Sequence, residues 1–565
     1  MQDGIAKNLF KERTGKAVED QKAVKWPMVD QLVKQGAILY FDYALADLLV
    51  KGESEAVALG VIYLSLASRK GHLCLSLASG CLTPSPEELF DDSLPEEVAS
   101  VFYTGVCHLP KQLVAEMGDE EAFKPFCRWK HLLYLQKNWV YETLFLDHYL
   151  RLDAKAPSLQ VDQEKAHEKL SYLEDSGKIL HEQRKSIESA LQSALSVISG
   201  GPGTGKSYTA GILISLLQEL TENPSIILTA PTGKAAARLQ SCVENPAGCV
   251  SKTLHSLLGI VPGKFKPIKE SQKLSADFIL VDEASMIDIK MFATLFSAVK
   301  TGTRVVLLGD PHQLPPVESG QGFGDLLELR KKQNQPVGTL TKCLRAELQG
   351  IIAFASAINR QDNEALHLWN FEGVVRKDLT SLEAVARDYV DDFQRLPKDS
   401  DDPDELLSAM NQYCILSPFR QGEWGAEKLN EMIMEKLGEA WKWAPIIIQR
   451  NDPSLELYNG DVGFVKGKQA YFSSKEGVRS VPLILLPQYD YAFCISVHKS
   501  QGSEYQNVKL MIPPGTSRFG KELLYTGATR AKKRLECYGS LEEITASINA
   551  ATPRCSGIVP RALSL

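Results

Sequence analysis

Eight consecutive residues, Gly200-Gly201-Pro202-Gly203-Thr204-Gly205-Lys206-Ser207, fit the pattern G-x-x-x-x-G-K-[ST]. A chain can use such a run only if a strand delivers it and a helix leaves it, because the loop must curl until its backbone N–H groups converge on phosphate oxygens. Both flanks are present. Ala194 to Ile198 reads as a strand entering the loop, and Ile212, Leu213, Leu216, Leu217 and Leu220 recur at helical spacing beyond it. Within the cradle, Lys206 neutralises β/γ-phosphate charge and the Ser207 hydroxyl ligates Mg²⁺. A second apolar strand, Phe278-Ile279-Leu280-Val281, ends in Asp282-Glu283. Asp282 would hold the Mg²⁺ shell, and Glu283 would orient and deprotonate an attacking water. The pair implies hydrolysis of ATP or GTP.

Strand and helix signals alternate around this loop, at Ser196–Ser199, Ser225–Ala230, Phe278–Glu283 and Arg304–Asp310. Alternation at this spacing predicts a parallel sheet covered by helices on both faces. After a polar break at Lys398–Glu405 a second strand set follows, Cys414–Pro418, Ala492–Val497, Val508–Ile512 and Arg534–Tyr538, without a P-loop of its own. Between its strands, residues 446–487 carry an Asn459-Gly460-Asp461 turn among short β-like runs, which predicts a small inserted barrel or sheet. The expected organisation is α/β: a mostly helical domain over 1–125, a connecting segment over 126–163, a first lobe over 164–343 and a second over 344–565. The polar stretch Ala154–Glu164 reads as a linker. Two lobes sharing one P-loop allow residues of the second to complete a nucleotide site on the first, so hydrolysis can open and close the cleft.

Composition narrows the setting. At 565 residues with 44% hydrophobic and 24% charged residues, the chain has room for three or four domains. Met1 to Gly15 is polar and unlike a signal peptide, and the longest apolar run, Val57–Ala67, is too short to span a bilayer, so no membrane association is expected. The 11 cysteines contain no C-x-x-C pair, so zinc and iron–sulfur readings fail for want of spacing. Cys414 and Cys494 sit in apolar strand-like runs and read as core thiols, and a reducing, cytoplasmic compartment is the expected setting. A net charge of −7 argues against a general nucleic-acid coat but leaves room for a focused basic groove, with Lys264–Lys273 and Arg530–Arg534 as positive stretches.

Further segments fall in fixed order around the lobes. Thr229-Ala230-Pro231-Thr232-Gly233-Lys234 follows the second strand, and the turn of Pro231, Thr232, Gly233 and Lys234 is a candidate DNA contact that can offer backbone N–H and hydroxyl donors to a nucleic-acid phosphate. Thr232 serves equally well as a helix N-cap. Thr253-Leu254-His255 is a similar, weaker signal that makes His255 a candidate contact. Gly309-Asp310-Pro311-His312-Gln313-Leu314-Pro315-Pro316-Val317 places Gln313 where it can touch a γ-phosphate, although its prolines also suit a stiff turn. Arg345 and Arg530 carry an arginine-finger reading against the alternative of surface salt bridges, and Arg530 gains from its setting in Tyr525-Thr526-Gly527-Ala528-Thr529-Arg530-Ala531-Lys532. In Val497-His498-Lys499-Ser500-Gln501-Gly502-Ser503-Glu504-Tyr505, His498 and Lys499 are candidate DNA contacts, and Gly502 and Glu504 candidate nucleotide contacts.

Taken together, the series over roughly residues 180–540 resembles the helicase motifs of superfamily one. The wording GDPHQLPPV, TAPTGKAAARL and VHKSQGSE looks most like the RecD family, alpha subunits of exodeoxyribonuclease V. Leu416-Ser417-Pro418-Phe419-Arg420, Leu457 to Gly463, FDYALADLL, GHLCLSL and Tyr134 to Glu142 extend the likeness to nearly the whole chain. The resemblance implies two RecA-like lobes, an SH3-like element at 446–487, and an N-terminal domain that docks a partner. It matches Gln183 to the glutamine that reads adenine, favouring ATP over GTP. It implies a single-stranded-DNA-dependent ATPase that translocates 5′ to 3′. The motor would work in a heterotrimer with RecB-like and RecC-like subunits that processes double-strand ends for recombinational repair. One departure is the short segment after His255, where any strand-separating pin (Pro262–Ser271) must be small.

Competing readings are a P-loop ATPase acting as a switch or scaffold without translocation, and a free-standing RNA or DNA helicase. A switch has no need of His498 to Glu504 together with a facing Arg530. A nuclease activity finds no separate cluster of acidic residues and lysine at metal-site spacing. Phe419 and Trp424 are candidate base platforms, in competition with a core role.

Overall fold

The computed structural model describes residues 25–90, 96–116, 123–246, 248–260, 273–343, 349–369, 371–438, 441–474 and 477–565. The chain divides into two compact units, Met1–Val140 with Arg554–Gly557, and Tyr141–Pro553 with Ile558–Leu565.

In the first unit, helix Glu55–Arg69 starts at a Ser54 cap and is buried from Val57 to Ser68. It meets helix Glu96–Cys107 at a pair of glycines. A Cβ on Gly60 would lie 2.4 Å from the Gly105 carbonyl carbon, and one on Gly105 would lie 1.8 Å from the Ala56 carbonyl oxygen. Both obstacles are backbone, so only hydrogen fits at either position. Below these helices, Cys74–Ser76, Leu132–Leu135, Phe126–Trp129 and Val114–Glu116 form a four-stranded sheet in that order. The strands at 126–135 fall where the sequence suggests only a connecting segment. Their apolar runs, Phe126-Cys127 and Leu132-Leu133-Tyr134-Leu135, are short, and periodicity cannot separate such runs from buried helix. The distant 554–557 segment joins this unit through a hydrogen bond from Leu73 N–H to the Cys555 carbonyl at 2.9 Å.

The second unit holds two parallel sheets, as the alternating pattern predicts. The first lobe orders its six strands Gly338–Leu340, Leu195–Gly200, Arg304–Gly309, Phe278–Val281, Ile226–Ala230 and Cys249–Thr253. The second orders five: Val374–Lys377, Ala531–Gly539, Tyr505–Ile512, Tyr413–Ser417 and Cys494–Ser496. Their central strands are near-continuous aliphatic runs such as Phe278-Ile279-Leu280-Val281, buried on both faces because helices cover the sheet on each side. Strands 249–253, 338–340 and 374–377, absent from the sequence reading, are all at sheet edges. Short, half-exposed edges carry little apolar signal. Cys414 and Cys494 are buried in the second lobe's core, as their flanks suggested.

The predicted insertion is a five-stranded antiparallel sheet, ordered Gly477–Pro482, Gln469–Ser474, Val462–Lys466, Trp443–Ile448 and Tyr489–Tyr491. It has an apolar cluster of its own around Ile446, Ile448, Leu457, Phe472 and Val481. Gly463 is obligatory there, since a Cβ would meet the Tyr471 carbonyl oxygen at 2.3 Å. No helix among the described residues is long and apolar enough to cross a membrane.

Replacing Gly105 by alanine should destabilise the first unit by about 1–3 kcal/mol, the usual cost of overpacking. Thermal denaturation should show the loss, while nucleotide affinity of the second unit stays unchanged.

Candidate nucleotide site and interlobe face

Strand Leu195–Gly200 delivers the loop, and helix Lys206–Leu220 begins as soon as it closes. Gly203 and Gly205 have φ of 76° and 84°, a left-handed conformation that suits glycine, and Gly205 caps the helix. The helix packs on the sheet through Leu213, Ile214, Leu216 and Leu217. Inside the loop, the Thr204 hydroxyl donates to the Gly201 carbonyl at 2.8 Å, and Lys206 Nζ donates to the Gly200 and Gly201 carbonyls at 2.6 and 3.0 Å. Lys206 therefore arches over the loop with its charge at the centre of the turn. Pro202 and Ser207 are partly exposed on its rim.

Asp282 leaves the apolar strand Phe278–Val281 6% exposed, its Oδ1 accepting the Glu283 N–H at 2.8 Å. Burial first, then the adjacent Glu283 carboxylate, pushes its pKa up to about 6, against an opposing pull from Lys206. Glu283 has φ of 51° and ψ of 39°. A non-glycine residue held in the left-handed region is strained, and such strain collects at functional turns.

Strand Arg304–Gly309 lies between the P-loop strand and the Asp282 strand, so the loop leaving it emerges between them. Its first residue, Asp310, is fully buried. Asp310 Oδ2 accepts from Gln313 Nε2 at 3.3 Å, and Oδ1 accepts from His312 N–H at 3.1 Å. Gln313 is 5% exposed, and its Oε1 has no hydrogen-bond partner among the described residues.

The second lobe closes on this loop. Tyr525, on helix Gly520–Ala528, donates its hydroxyl to Asp310 Oδ2 at 2.9 Å. Leu314 N–H donates to Thr526 Oγ1 at 2.8 Å, and Gln501 Nε2 donates to the Leu314 carbonyl at 3.3 Å. The Leu314 side chain is buried in the apolar cluster of the second lobe. A Cβ on Gly201 would stand 3.2 Å from the Tyr525 hydroxyl, so the same tyrosine overlooks the P-loop. Asp310, Leu314, Tyr525 and Thr526 had no assigned role in the sequence reading. Tyr525 and Thr526 open the segment quoted for Arg530, but nothing in a linear motif tells which of its members face across a cleft.

Arg530 is 4% exposed and donates to the Thr526 carbonyl at 3.0 Å, the Ser503 carbonyl at 3.3 Å and Thr529 Oγ1 at 3.3 Å. It is a buried cation, not a surface salt bridge. Arg345 lies outside the described residues; Cys343, two residues before it, reaches the Pro202 carbonyl with Sγ at 3.9 Å. Gln183 is buried; its Oε1 accepts the Leu180 N–H at 2.9 Å, and Nε2 has no partner among the described residues.

A second interlobe patch joins the other motifs. Thr232 caps helix Gly233–Ser241, accepting from Ala235 N–H at 3.3 Å. Lys234 Nζ donates to Ser503 Oγ at 3.1 Å, and Arg238 pairs with Glu504 at 3.5 Å. Glu504 also pairs with Lys532 at 3.0 Å. Crowding of the Lys234 ammonium by protein lowers its pKa, while Glu504 pulls it up. Gly502, with φ of 73°, faces the Thr232 hydroxyl, 3.6 Å from where its Cβ would be. Gly502 and Glu504 thus sit against the Pro231–Lys234 turn. The Tyr458–Asp461 turn of the inserted sheet reaches the same place, both Tyr458 and Asp461 lying 3.8 Å from a Cβ on Gly233. Lys499 Nζ donates to Gln449 of the inserted sheet, and His498 meets Phe519 edge-on at 6.4 Å. Phe419 packs on Phe519 with Arg518 4.9 Å above its ring, whereas Trp424 packs against the core. His255 is exposed on the short helix Leu254–Leu257. The short pin, Pro262–Ser271, lies outside the described residues.

Three family models match: RecBCD enzyme subunit RecD, N-terminal domain, over residues 34–134; AAA domain over 154–378; and UvrD-like helicase C-terminal domain over 491–536. The RecBCD enzyme subunit RecD of Mycolicibacterium smegmatis is 33% identical over 76% of this chain and 82% of its own length. The chain belongs to the RecD family. RecD of Mycobacterium tuberculosis is 29% identical over 90% of this chain and 91% of its own length. RecD of Haemophilus influenzae is 28% identical over 75% and 79%. Among solved structures, Bacteroides Pif1 bound to ssDNA is similar with a TM-score of 0.39 and 20% identity, covering 65% of this chain and 93% of that one. This RecD-family chain is a superfamily-one, ATP-dependent helicase.

The raised pKa of Asp282 has a signed consequence. Its folded-state value lies above the ordinary carboxylate value of 3.8, so the penalty it places on the fold is absent below that value, grows as pH rises from there to about 6, and is complete above about 6. Asp282→Asn should therefore raise the melting temperature of the nucleotide-free chain at pH 7.5, and by clearly less at pH 4.5. Thermal denaturation at both values checks this; an equal shift at both would remove the electrostatic cause.

Proposed function

We propose that this chain is a DNA-dependent ATPase that moves 5′ to 3′ along single-stranded DNA as a motor subunit of a RecBCD-type helicase–nuclease. In such an assembly it would work with RecB-like and RecC-like subunits on double-strand ends, in the cytoplasm. The observation that carries the reading is the docking of the Gln313 loop of the P-loop lobe onto the Tyr525–Arg530 segment of the other lobe. A switch without translocation has no use for a second lobe coupled this closely to the nucleotide.

In the proposed cycle ATP lies on the P-loop, its phosphates held by the loop N–H groups and Lys206. Gln183 Nε2, buried and unpartnered among the described residues, suits the adenine edge. Asp282 and Ser207 fit a Mg²⁺ ion, since a buried carboxylate beside a second one needs a cation. The ion would offset charge on the phosphates. Glu283 accepts the proton of the attacking water, and Gln313, its Nε2 held by Asp310, positions that water beside the terminal phosphate through Oε1. Arg530 and Arg345 supply second-lobe cations to the transferring phosphoryl group. Loss of that phosphate loosens the lobes, and alternate gripping of the strand turns this into steps.

The strand would run past Pro231, Thr232, Gly233, Lys234 and His255 on the first lobe, and His498 and Lys499 on the second. The inserted sheet, SH3-like in this reading, supports that track through Gln449 and Tyr458. In the N-terminal unit, helix Tyr40–Leu49 exposes Tyr40, Phe41 and Leu48, a face suited to docking a partner subunit.

The decisive experiment is steady-state ATPase activity of the purified chain with and without a single-stranded oligonucleotide. Strong stimulation is expected, and Lys206→Gln should abolish turnover with folding intact; good turnover indifferent to DNA would favour a switch. Arg530→Ala should bind ATP but lose about 10³-fold or more in kcat. Lys499→Ala should weaken strand binding and lower the salt dependence of log K by about 0.7.

A further inference from the structure

Asp310 is a fully buried carboxylate, and its Oδ2 receives one donor from each lobe, Gln313 Nε2 at 3.3 Å and the Tyr525 hydroxyl at 2.9 Å. With Nε2 committed to Asp310, the Gln313 amide is fixed in one sense, and its Oε1 is the end left without a partner among the described residues. Gln313 lines a cavity of about 60 Å³, together with Ser285, Pro311, Pro315, Glu522 and Thr552. That is room for a few waters. Oε1 itself is buried, and an amide oxygen without a protein partner can accept a hydrogen bond from the water that attacks a terminal phosphate. A glutamine turned the other way would offer it only donors.

We infer that Tyr525 is a positioning residue for hydrolysis: from the second lobe, its hydroxyl sets the Asp310 carboxylate that orients the Gln313 side chain. The role rests on the ATPase reading above and deepens it. Burial and the Asp310 charge hold the phenol's pKa far above its usual value, so it stays a donor at any working pH. Its ring is anchored in the second-lobe core, 6.0 Å from the His312 ring, and its oxygen overlooks Gly201. The lobe that carries Arg530 thereby controls a side chain on the lobe that carries the P-loop. When the lobes separate, Asp310 loses a donor and Gln313 its fixed orientation, so hydrolysis is tied to closure without any movement of the P-loop.

Tyr525→Phe keeps the ring and its packing and removes only the hydroxyl. With saturating single-stranded DNA, the full chain carrying it should lose about 10–100-fold in kcat, as expected of a misplaced catalytic group, with little change in KM for ATP. Combined with Gln313→Ala it should be no slower than Gln313→Ala alone, because both changes disable the same step. A kcat near the wild type's, a loss appearing mainly in KM, or effects that multiply in the double variant would each overturn the role. Wild-type turnover that survives Lys206→Gln would instead overturn the ATPase reading on which it rests.

Discussion

Five residues, Asp310 to Leu314, leave the middle of one sheet and end inside the core of another. Leu314 is 3% exposed, and its neighbours are second-lobe side chains such as Leu523 and Ile351. Burying a leucine contributes about 1.5–3 kcal/mol. The hydrogen bonds at both ends of its peptide unit then fix the register of the loop, and most of the site's geometry follows. Because strand Arg304–Gly309 stands between the P-loop strand and the Asp282 strand, anything that moves Leu314 moves Gln313 between the phosphate cradle and the acidic pair. A hydrophobic anchor thus transmits the position of one lobe to the chemistry of the other.

Charge around the site is arranged at a cost to stability. Asp282 is ionised at neutral pH in a setting that favours its protonated form, and Glu283 occupies a backbone conformation normally left to glycine. A fold selected for stability alone would avoid both. They make sense together as a pair of acceptors waiting for cationic or proton-bearing ligands. The second interlobe patch works differently. Across the lobes Lys234 bonds Ser503 and Arg238 pairs with Glu504, which Lys532 of its own lobe also holds, so this is a polar seam that can open without exposing a large apolar surface.

In the N-terminal unit, packing replaces chemistry. The glycine pair at Gly60 and Gly105 brings two backbones together, and buried Asp42 is satisfied by Ser65 at 2.7 Å, by Arg69 and by the Leu39 N–H at 2.9 Å. The outcome is a closely packed helical unit with the apolar side chains of Tyr40, Phe41 and Leu48 left outside.

Much of this architecture was legible in the residues. The P-loop was readable because its chemistry is local: eight successive backbone and side-chain groups enclose one phosphate, so their order in the chain is their order in space. Central strands were readable because burial on both faces demands unbroken aliphatic runs, and the linear order of the other segments pointed to the family. What lay beyond reading were the edge strands, the sheet at 126–135 and the partners of Gly502 and Glu504, which sit against Gly233–Ser241. Beyond it too was the bond from Tyr525 to Asp310, across 215 residues. Sequence determined which groups are present and which segments are strands, because propensity and burial act over a few neighbouring residues. Only the tertiary structure decided which side chains meet across the cleft, because that depends on how two sheets dock, and no local pattern encodes it.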